Sequence, residues 1–389
     1  MPVHILVVDD EPDVELLVRQ RFRKRIRTNE LVFYFAADGI EALQRLAEQE
    51  EIDVVLTDIN MPRMDGLTLL GQIGELNRLL KVVIVSAYGD LDNIRTAMNR
   101  GAFDFVTKPI NFEDLNITLD KTLREVATLK EGRLLHEQIT LLRRDLEIAR
   151  KIQLSVLPSI FPPFPDRCDF SLFATMTPAQ EVGGDLYDFF LIDENRLGFS
   201  IGDVSGKGLG AAMFMVMTRT LLRATALQNL SVEDCVRHVN RVLYPERAGR
   251  LFVTLVYGIL DTRTGDITYC NAGHNLPYVI AHDGRVENLE GTKSIGVCLV
   301  RDFTFQSRTR RLALGDVLFL YTDGVNEAAD VSRELFSDER LRATLDEIGP
   351  VAPEEMIRHV EKAVAAFTAG APPFDDMTML ALRFNGRDF

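Results

Sequence analysis

Two periodicities alternate along the first third of the chain. The run "HILVVDD" (4–10) is continuously apolar and ends in two acids, the pattern of a parallel strand buried on both faces. Three more runs repeat it. "IDVVLTDINMP" (52–62) ends its apolar stretch at Asp58, "KVVIVSAYG" (81–89) at Ser86, and "AFDFVTKPI" (102–110) at Lys108. Between them, "GIEALQRLAEQ" (39–49) and "LDNIRTAMNRG" (91–101) carry the 3.6-residue spacing of helices. Strands alternating with helices predict a doubly wound parallel α/β sheet, whose ligands gather beyond the carboxyl ends of the strands.

The pattern then changes. Leu135, Ile139, Leu142, Leu146 and Ala149 recur at 4–3–4–3 spacing, with Gln153 and Val156 continuing the register. This predicts a coiled-coil seam and a parallel homodimer through residues 135–157, although a helix packed on its own chain shows the same stripe. Leu115, Leu119, Val126 and Leu129 form an earlier segment, with a break expected near Gly132. The prolines of "VLPSIFPPFPD" (156–166) end the helix. Three parts follow: 1–123, a helical linker 124–158, and 159–389. In the last, "RLGFSIGDV", "FVTLVYGILD", "DITYCNAGH" and "DVLFLYTDG" read as strands, and "LGAAMFMVMTRTLLRATAL" and "PEEMIRHVEKAVAAF" as helices. Met213, Met215 and Met217 are expected to fill core, and Asp188 to be a surface acid with a supporting role at most.

Composition narrows the function classes. The net charge of −14 is shared evenly, with 15 basic against 22 acidic residues through residue 125 and 29 against 36 after it. Neither part has the basic balance of a DNA-binding output domain, so no nucleic-acid partner is expected. The exception, "RQRFRKRIR" (19–27), reads as a solvated helix face among acids. No apolar run approaches the roughly 20 residues needed to span a bilayer, and the N-terminus turns acidic by residue 9. No membrane association and a cytoplasmic location are expected. Cys168, Cys235, Cys270 and Cys298 include no CxxC pair and are expected to be buried thiols rather than a disulfide frame or zinc site.

The strand-end residues of the first third have a specific chemistry. Asp9, Asp10 and Asp58 gathered in one cleft repel one another unless a divalent cation sits among them, and hard carboxylate oxygens suit Mg2+. Lys108 adds a charge able to hold a phosphoryl oxygen, Ser86 a hydroxyl donor, and a carboxylate so placed can attack a phosphoryl donor. With "VVDDEP", "LTDINMPRMDG", "VSAYGD" and "DFVTKPI", residues 3–123 resemble the receiver domain of two-component response regulators. The resemblance implies that Asp58 is the phosphoacceptor and that Asp10 and Asp58 bind Mg2+ with the Asn60 carbonyl, Asp9 assisting. Ser86 and Lys108 would contact the phosphoryl group and Phe105 would be the aromatic switch. A histidine kinase would be the partner.

The second half spreads four acidic signatures over nearly 200 residues: "EVGGDLYDFF" with Asp185, "FSIGDVSGKGLGAAMFM" with Asp203, "LFLYTDGVNEA" with Asp323, and "PFDDMTMLALR" with Asp375 and Asp376. Strand-end carboxylates converging from separate places make an oxygen-rich site for two Mg2+ or Mn2+ ions, which can activate water and clamp a phosphate ester. No serine sits in a GxSxG elbow. "GGD" also suggests a dinucleotide cyclase, but Leu186 and Tyr187 stand where acid and Phe are wanted. "GDVSGKG" lacks the P-loop spacing, with Leu209 after Gly208.

Together with "NAGHNLP" (271–277) and "SIGV" (294–297), these signatures resemble the PPM family of metal-dependent Ser/Thr protein phosphatases, in its bacterial stress and sporulation branch, over about residues 166–385. "ARKIQLSVLP" (149–158) resembles the segment that precedes such domains. The resemblance implies a sandwich of two antiparallel sheets flanked by helices. Asp203 would bridge two metals with the Val204 carbonyl, completed by Asp185, Asp323 and Asp375, or Asp376 at the neighbouring position. His274 stands where other branches carry an acid. The expected protein is thus multidomain α/β: a doubly wound receiver, a helical coiled-coil linker and a PPM sandwich. Its expected activity is serine/threonine protein phosphatase on a phosphorylated partner of the anti-sigma-factor-antagonist kind, under control of Asp58. A non-enzymatic adaptor is the alternative, which four retained metal acids disfavour.

Overall fold

The computed structural model describes residues 2–76, 79–87, 90–246 and 250–386. Two compact units divide between Leu141 and Leu142.

The first unit runs β1 (Val3–Val8), α1 (Asp13–Arg21), α2 (Arg23–Arg27), β2 (Leu31–Ala36), α3 (Gly39–Glu48), β3 (Ile52–Asp58), α4 (Gly66–Glu75), β4 (Lys81–Ala87), α5 (Leu91–Asn99) and β5 (Asp104–Lys108). Its sheet has the order β2-β1-β3-β4-β5, every pair parallel. This is the doubly wound sheet expected, with one strand more than the four apolar runs named above. β3 is buried at all seven positions, which explains its unbroken apolar sequence. Separate apolar clusters cover the two faces of the sheet, one built around Leu6, Val55 and Ile84 and the other around Ile5, Leu56 and Val83. Tyr88 and Gly89, at the end of the run 81–89, lie outside the described residues. The basic stretch 19–27 is helical and paired with acids, Arg19 with Glu15 at 2.8 Å and Arg25 with Asp120 at 2.8 Å.

Helix α6 (Phe112–Val156) is 45 residues long and passes through Gly132 without the expected break. A glycine in an exposed helix interior costs only about 1 kcal/mol, too little to interrupt hydrogen bonding on both sides. Leu115, Leu119 and Val126 join the first unit's core, and Lys130 pairs with Asp53 at 2.7 Å. Farther along, Leu135, Ile139 and Leu142 are 58%, 41% and 61% exposed, an apolar stripe facing solvent.

The second unit continues with β6 (Phe170–Thr177), β7 (Leu186–Leu191), β8 (Arg196–Val204), α7 (Leu209–Ala226), α8 (Val232–Glu246), β9 (Val253–Asp261), β10 (Asp266–Ala272), β11 (Tyr278–Ile280), β12 (Val286–Asn288), β13 (Arg308–Arg311), β14 (Val317–Tyr321), α9 (Asp323–Asn326), α10 (Ser337–Ile348), α11 (Pro353–Thr368) and β15 (Met377–Phe384). Two antiparallel sheets form, β13-β10-β9-β8-β7 and β12-β11-β14-β15-β6. Phe199, Ile201 and Leu260 of one meet Leu320, Leu380 and Leu382 of the other in a shared core. The outer face of the first sheet is covered by α7 and α8, and that of the second by α10 and α11. The expected sandwich is present.

Three local expectations need correction. Met215 is fully buried, but Met213 and Met217 are 60% and 41% exposed, because odd positions fall on different sides of a 3.6-residue helix. Asp188 is not a surface acid. It is 1% exposed and held by Arg219 at 3.0 Å and Arg223 at 3.1 Å from α7. Cys168 is exposed, while the other three cysteines are buried, and none of the four forms a disulfide.

Candidate functional site

In the first unit, β1 and β3 deliver their terminal acids to one place. Asp9, Asp10 and Asp58 each offer an oxygen within 4.8 Å of the others, the kind of donor set that suits a hard divalent cation. Lys108, at the end of β5, reaches Asp58 Oδ2 at 2.6 Å, Asp9 Oδ2 at 3.0 Å and Glu11 Oε1 at 2.9 Å. Burial alone would lower the Lys108 pKa, but the hydrogen bonds to Asp58, Glu11 and Asp9 outweigh it and hold the ammonium charged. Burial raises the Asp9 pKa, opposed by the Glu11 N–H and by Lys108. Ser86 is fully buried at the end of β4, with its hydroxyl 3.4 Å from Asp90 Oδ2. The Asn60 N–H donates to Asp58 Oδ1 at 3.3 Å, and Phe105 is 39% exposed on β5. Glu11 is a member of this cluster that strand-end reasoning misses, since it lies one residue beyond the pair of acids.

The second unit draws its acids from four segments. Asp185 precedes β7, Asp203 lies near the end of β8, Asp323 opens α9 after β14, and Asp375 and Asp376 precede β15. Asp185 is 1% exposed and accepts from the Thr322 hydroxyl at 2.7 Å. Burial, then the charge of Asp203, pushes its pKa well up. Asp203 is raised to about 7 by burial first and then by Asp323, Asp375 and Asp376. Burial, Glu327 and Asp375 raise Asp323. The acids therefore sit within electrostatic reach, yet no three of them bring oxygens within 4.8 Å of one another among the described residues. Such mutual repulsion is what a cation of higher charge relieves, so the donor set fits divalent metal ions.

The two adjacent acids do different things. Asp376 is buried with both oxygens engaged, accepting from Ala179 N at 2.8 Å and Gly184 N at 2.6 Å. Asp375 is partly exposed, bears on Asp203 and Asp323, and pairs with Lys207 at 3.1 Å. Among the described residues Lys207 is the cation in ion-pair contact with this acid group. The Val204 peptide backs onto Gly184, its N–H donating to Gly184 O at 3.3 Å. A Cβ on Gly324 would lie 1.9 Å from the Asp376 carbonyl, so glycine is what lets the Asp323 turn approach the 375–376 segment. His274 is buried with a pKa lowered to about 4, so it is neutral. Its ring nitrogens face the Thr254 hydroxyl at 2.9 Å and the Tyr321 carbonyl at 3.1 Å, a bridge between β9 and β14.

Comparison with known proteins follows the two units. Residues 5–120 match the response regulator receiver domain and residues 193–385 match Stage II sporulation protein E (SpoIIE). The second match begins eight residues after Asp185. The phosphoserine phosphatase RsbP of Bacillus subtilis is 31% identical over 187 residues, 47% of this chain and 45% of that protein. Sporulation initiation phosphotransferase F of the same species is 31% identical over 119 residues, 31% of this chain and 92% of that protein. In fold, the second unit resembles the SiaA-PP2C domain of Pseudomonas aeruginosa, with a TM-score of 0.54 and 20% identity over 64% of this chain and 99% of that one. The chain spans less than half the length of RsbP, and 42% of protein IcfG of Synechocystis, to which it is 32% identical over 62% of its own length. No helix among the described residues is long and apolar enough to cross a membrane.

Proposed function

The chain belongs to the response regulators, joining a receiver domain to a SpoIIE-type PPM phosphatase domain, and from that premise we propose that it is a serine/threonine protein phosphatase controlled by phosphorylation of Asp58. The observation that carries the reading is the group of acids around Asp203. Holding them together with one lysine in contact destabilises the metal-free chain, and an adaptor would have no use for that cost.

In this reading Asp203, Asp185, Asp323 and Asp375 hold two divalent cations, Mn2+ or Mg2+, with the Val204 carbonyl. When bound, these supply charge and an acidified water for in-line attack on a phosphate ester. The remaining work belongs to the protein. Asp376 is assigned to the frame instead, because both of its oxygens are spent on the 179–184 backbone. Thr322 orients Asp185. His274, neutral and buried, ties the strand after Asp203 to the strand before Asp323 and is not a ligand. In the receiver, Asp58 accepts a phosphoryl group from a histidine kinase, with Mg2+ at Asp9, Asp10 and the Asn60 carbonyl. Lys108 and Ser86 then hold the new phosphoryl oxygens and Phe105 changes position. RsbP is by name a phosphoserine phosphatase, and a phosphorylated partner of the anti-sigma-factor-antagonist kind is the substrate class proposed here. The exposed stripe Leu135, Ile139, Leu142 supports a homodimer through the linker helix.

Release of inorganic phosphate from a phosphoserine peptide in Mn2+ tests the activity. The wild-type chain turns over and Asp203→Asn does not. Absence of Mn2+-dependent turnover, or its survival in Asp203→Asn, removes the assignment.

A further inference from the structure

Lys207 is a charged residue that neither the metal set nor the frame of the sheets requires. It stands in the loop between β8 and α7. Its Nζ pairs with Asp375 Oδ2 at 3.1 Å and donates to the Phe374 carbonyl, and the ammonium lies 4.2 Å from the centre of the Phe374 ring. Its charge is felt deeper in the cluster. Burial, Glu327 and Asp375 raise the Asp323 pKa, and Lys207 opposes them.

Little fixes this lysine where it is. The Lys207 and Asp375 side chains are 38% and 34% exposed, and an ion pair that open to water contributes only about 0.2–1 kcal/mol. Phe374 is 69% exposed. Gly206 and Gly208 flank the lysine with φ of +90° and +82°, left-handed backbone that glycine adopts without strain. A Cβ placed on Gly208 would meet nothing within 4 Å. Ser205, by contrast, is anchored. Its N–H donates to the Phe252 carbonyl at 2.9 Å, and its hydroxyl accepts from the Phe252 N–H at 3.0 Å. Lys207 is thus a long cationic side chain on a lightly packed loop that starts from a fixed strand end.

Charge says what such a lysine can do. Ionised Asp185, Asp203, Asp323 and Asp375 are neutralised by two divalent cations. A phosphate monoester at neutral pH is close to a dianion, so a site of cancelled charge gains from one more cation beside it. Among the described residues Lys207 is the cation in ion-pair contact with these acids. A metal that takes Asp375 deprives the ammonium of its carboxylate and leaves its donors to an incoming anion. A lysine ammonium is a compact charge with three donors, which suits phosphoryl oxygens.

We propose that Lys207 is a catalytic residue of the phosphatase: it pairs with Asp375 in the metal-free chain and turns to the substrate's phosphoryl oxygens once divalent cations claim that carboxylate. The proposal rests on the metal assignment above.

Two titrations of the full chain test it, with Asp10→Ala and Asp58→Ala present to silence the receiver site. Mn2+ binding is read from the free-ion spin-resonance signal, and inorganic phosphate binding to the Mn2+-loaded chain by calorimetry. Lys207→Met keeps the length of the side chain and loses its charge. Its Mn2+ midpoint is expected to fall by up to about 5-fold, the range of an exposed ion pair that no longer competes for Asp375. Its phosphate affinity is expected to drop about 10-fold or more, the range of a hydrogen bond to a charged group. In phosphoserine-peptide turnover the loss falls mainly on KM, because the phosphate is charged both before and during the reaction. Lys207→Arg keeps the charge and restores most of the phosphate affinity. Lys207→Gln serves if Lys207→Met does not fold. A folded, uncharged variant that binds phosphate as the wild type does overturns the proposal. So does one that weakens Mn2+ and phosphate binding alike, which would make the lysine a support of the metal site. Asp203→Asn in the same background abolishes Mn2+ binding. If it does not, the metal site itself falls, and the proposal with it. If it does while Lys207→Met holds phosphate normally, only the Lys207 proposal falls.

Discussion

Replacing Asp203 by Asn removes activity and, without metal, stabilises the fold. The carboxyl titrates near 4 in an unfolded chain and at about 7 in the metal-free structure. A raised native pKa means that the folded state binds the proton more tightly, so stability falls as pH rises through the window from about 4 to about 7, then levels. About 3 pKa units at 1.36 kcal/mol each set a ceiling of about 4 kcal/mol on the strain at pH 8. Asp203 is partly exposed, and an asparagine forfeits the shared hydrogen bond with Asp185, so about 1–2 kcal/mol is expected to be recovered. For a unit of this size that raises the melting temperature by roughly 2–8 °C. Calorimetry of the full chain at pH 8 in EDTA measures it, the receiver's transition serving as the unmoved internal reference. The difference shrinks as pH falls and closes below about pH 4, where Asp203 is protonated in the fold and in the unfolded chain alike. With Mn2+ present the order reverses, since the wild type alone gains binding energy. A variant less stable than wild type at pH 8 without metal would refute the reasoning, because it would mean that the acids are not in conflict.

Asp58→Ala is expected to eliminate covalent labelling by acetyl phosphate in Mg2+, read by mass spectrometry; label at another aspartate would misplace the phosphoacceptor. Gly324→Ala must push the Asp323 turn from the Asp376 carbonyl, lowering stability by about 1–3 kcal/mol and weakening Mn2+ binding, measured by melting and metal titration. An unchanged melting temperature would show that the turn yields freely. Ile139→Asp with Leu142→Asp is expected to give a monomer by light scattering and to uncouple turnover from Asp58 phosphorylation, since burying unpaired charge in a seam is costly.

Much of this was legible in the sequence, for identifiable reasons. Buried parallel strands have no solvent face, so β1, β3, β4 and β5 stand out as apolar runs, and their terminal residues are the cleft. β2 is harder, as "LVFYFA" follows a basic helix and has no chemistry at its end. The acids of the second unit were readable because glycine stands beside three of them. Which of Asp375 and Asp376 faces the cluster was not, because two adjacent acids look alike in the sequence and only the surroundings decide. Gln153, which is buried and accepts from the Gly183 N–H, was hidden for a different reason. A heptad stripe is the same whether the face meets a second helix or its own domain, and here it does the latter at one end while Ile139 and Leu142 remain exposed. Asp188 has the same character, since its arginine partners lie 31 and 35 residues away on α7.

Control of the phosphatase by Asp58 is tested most directly by one ratio: Mn2+-dependent phosphoserine-peptide turnover with acetyl phosphate and Mg2+ over turnover without the donor. For the wild-type chain the ratio departs from one, and for Asp58→Ala it returns to one while turnover itself persists. A ratio of one in the wild type at full Asp58 labelling would contradict the account, as would an equal response in Asp58→Ala.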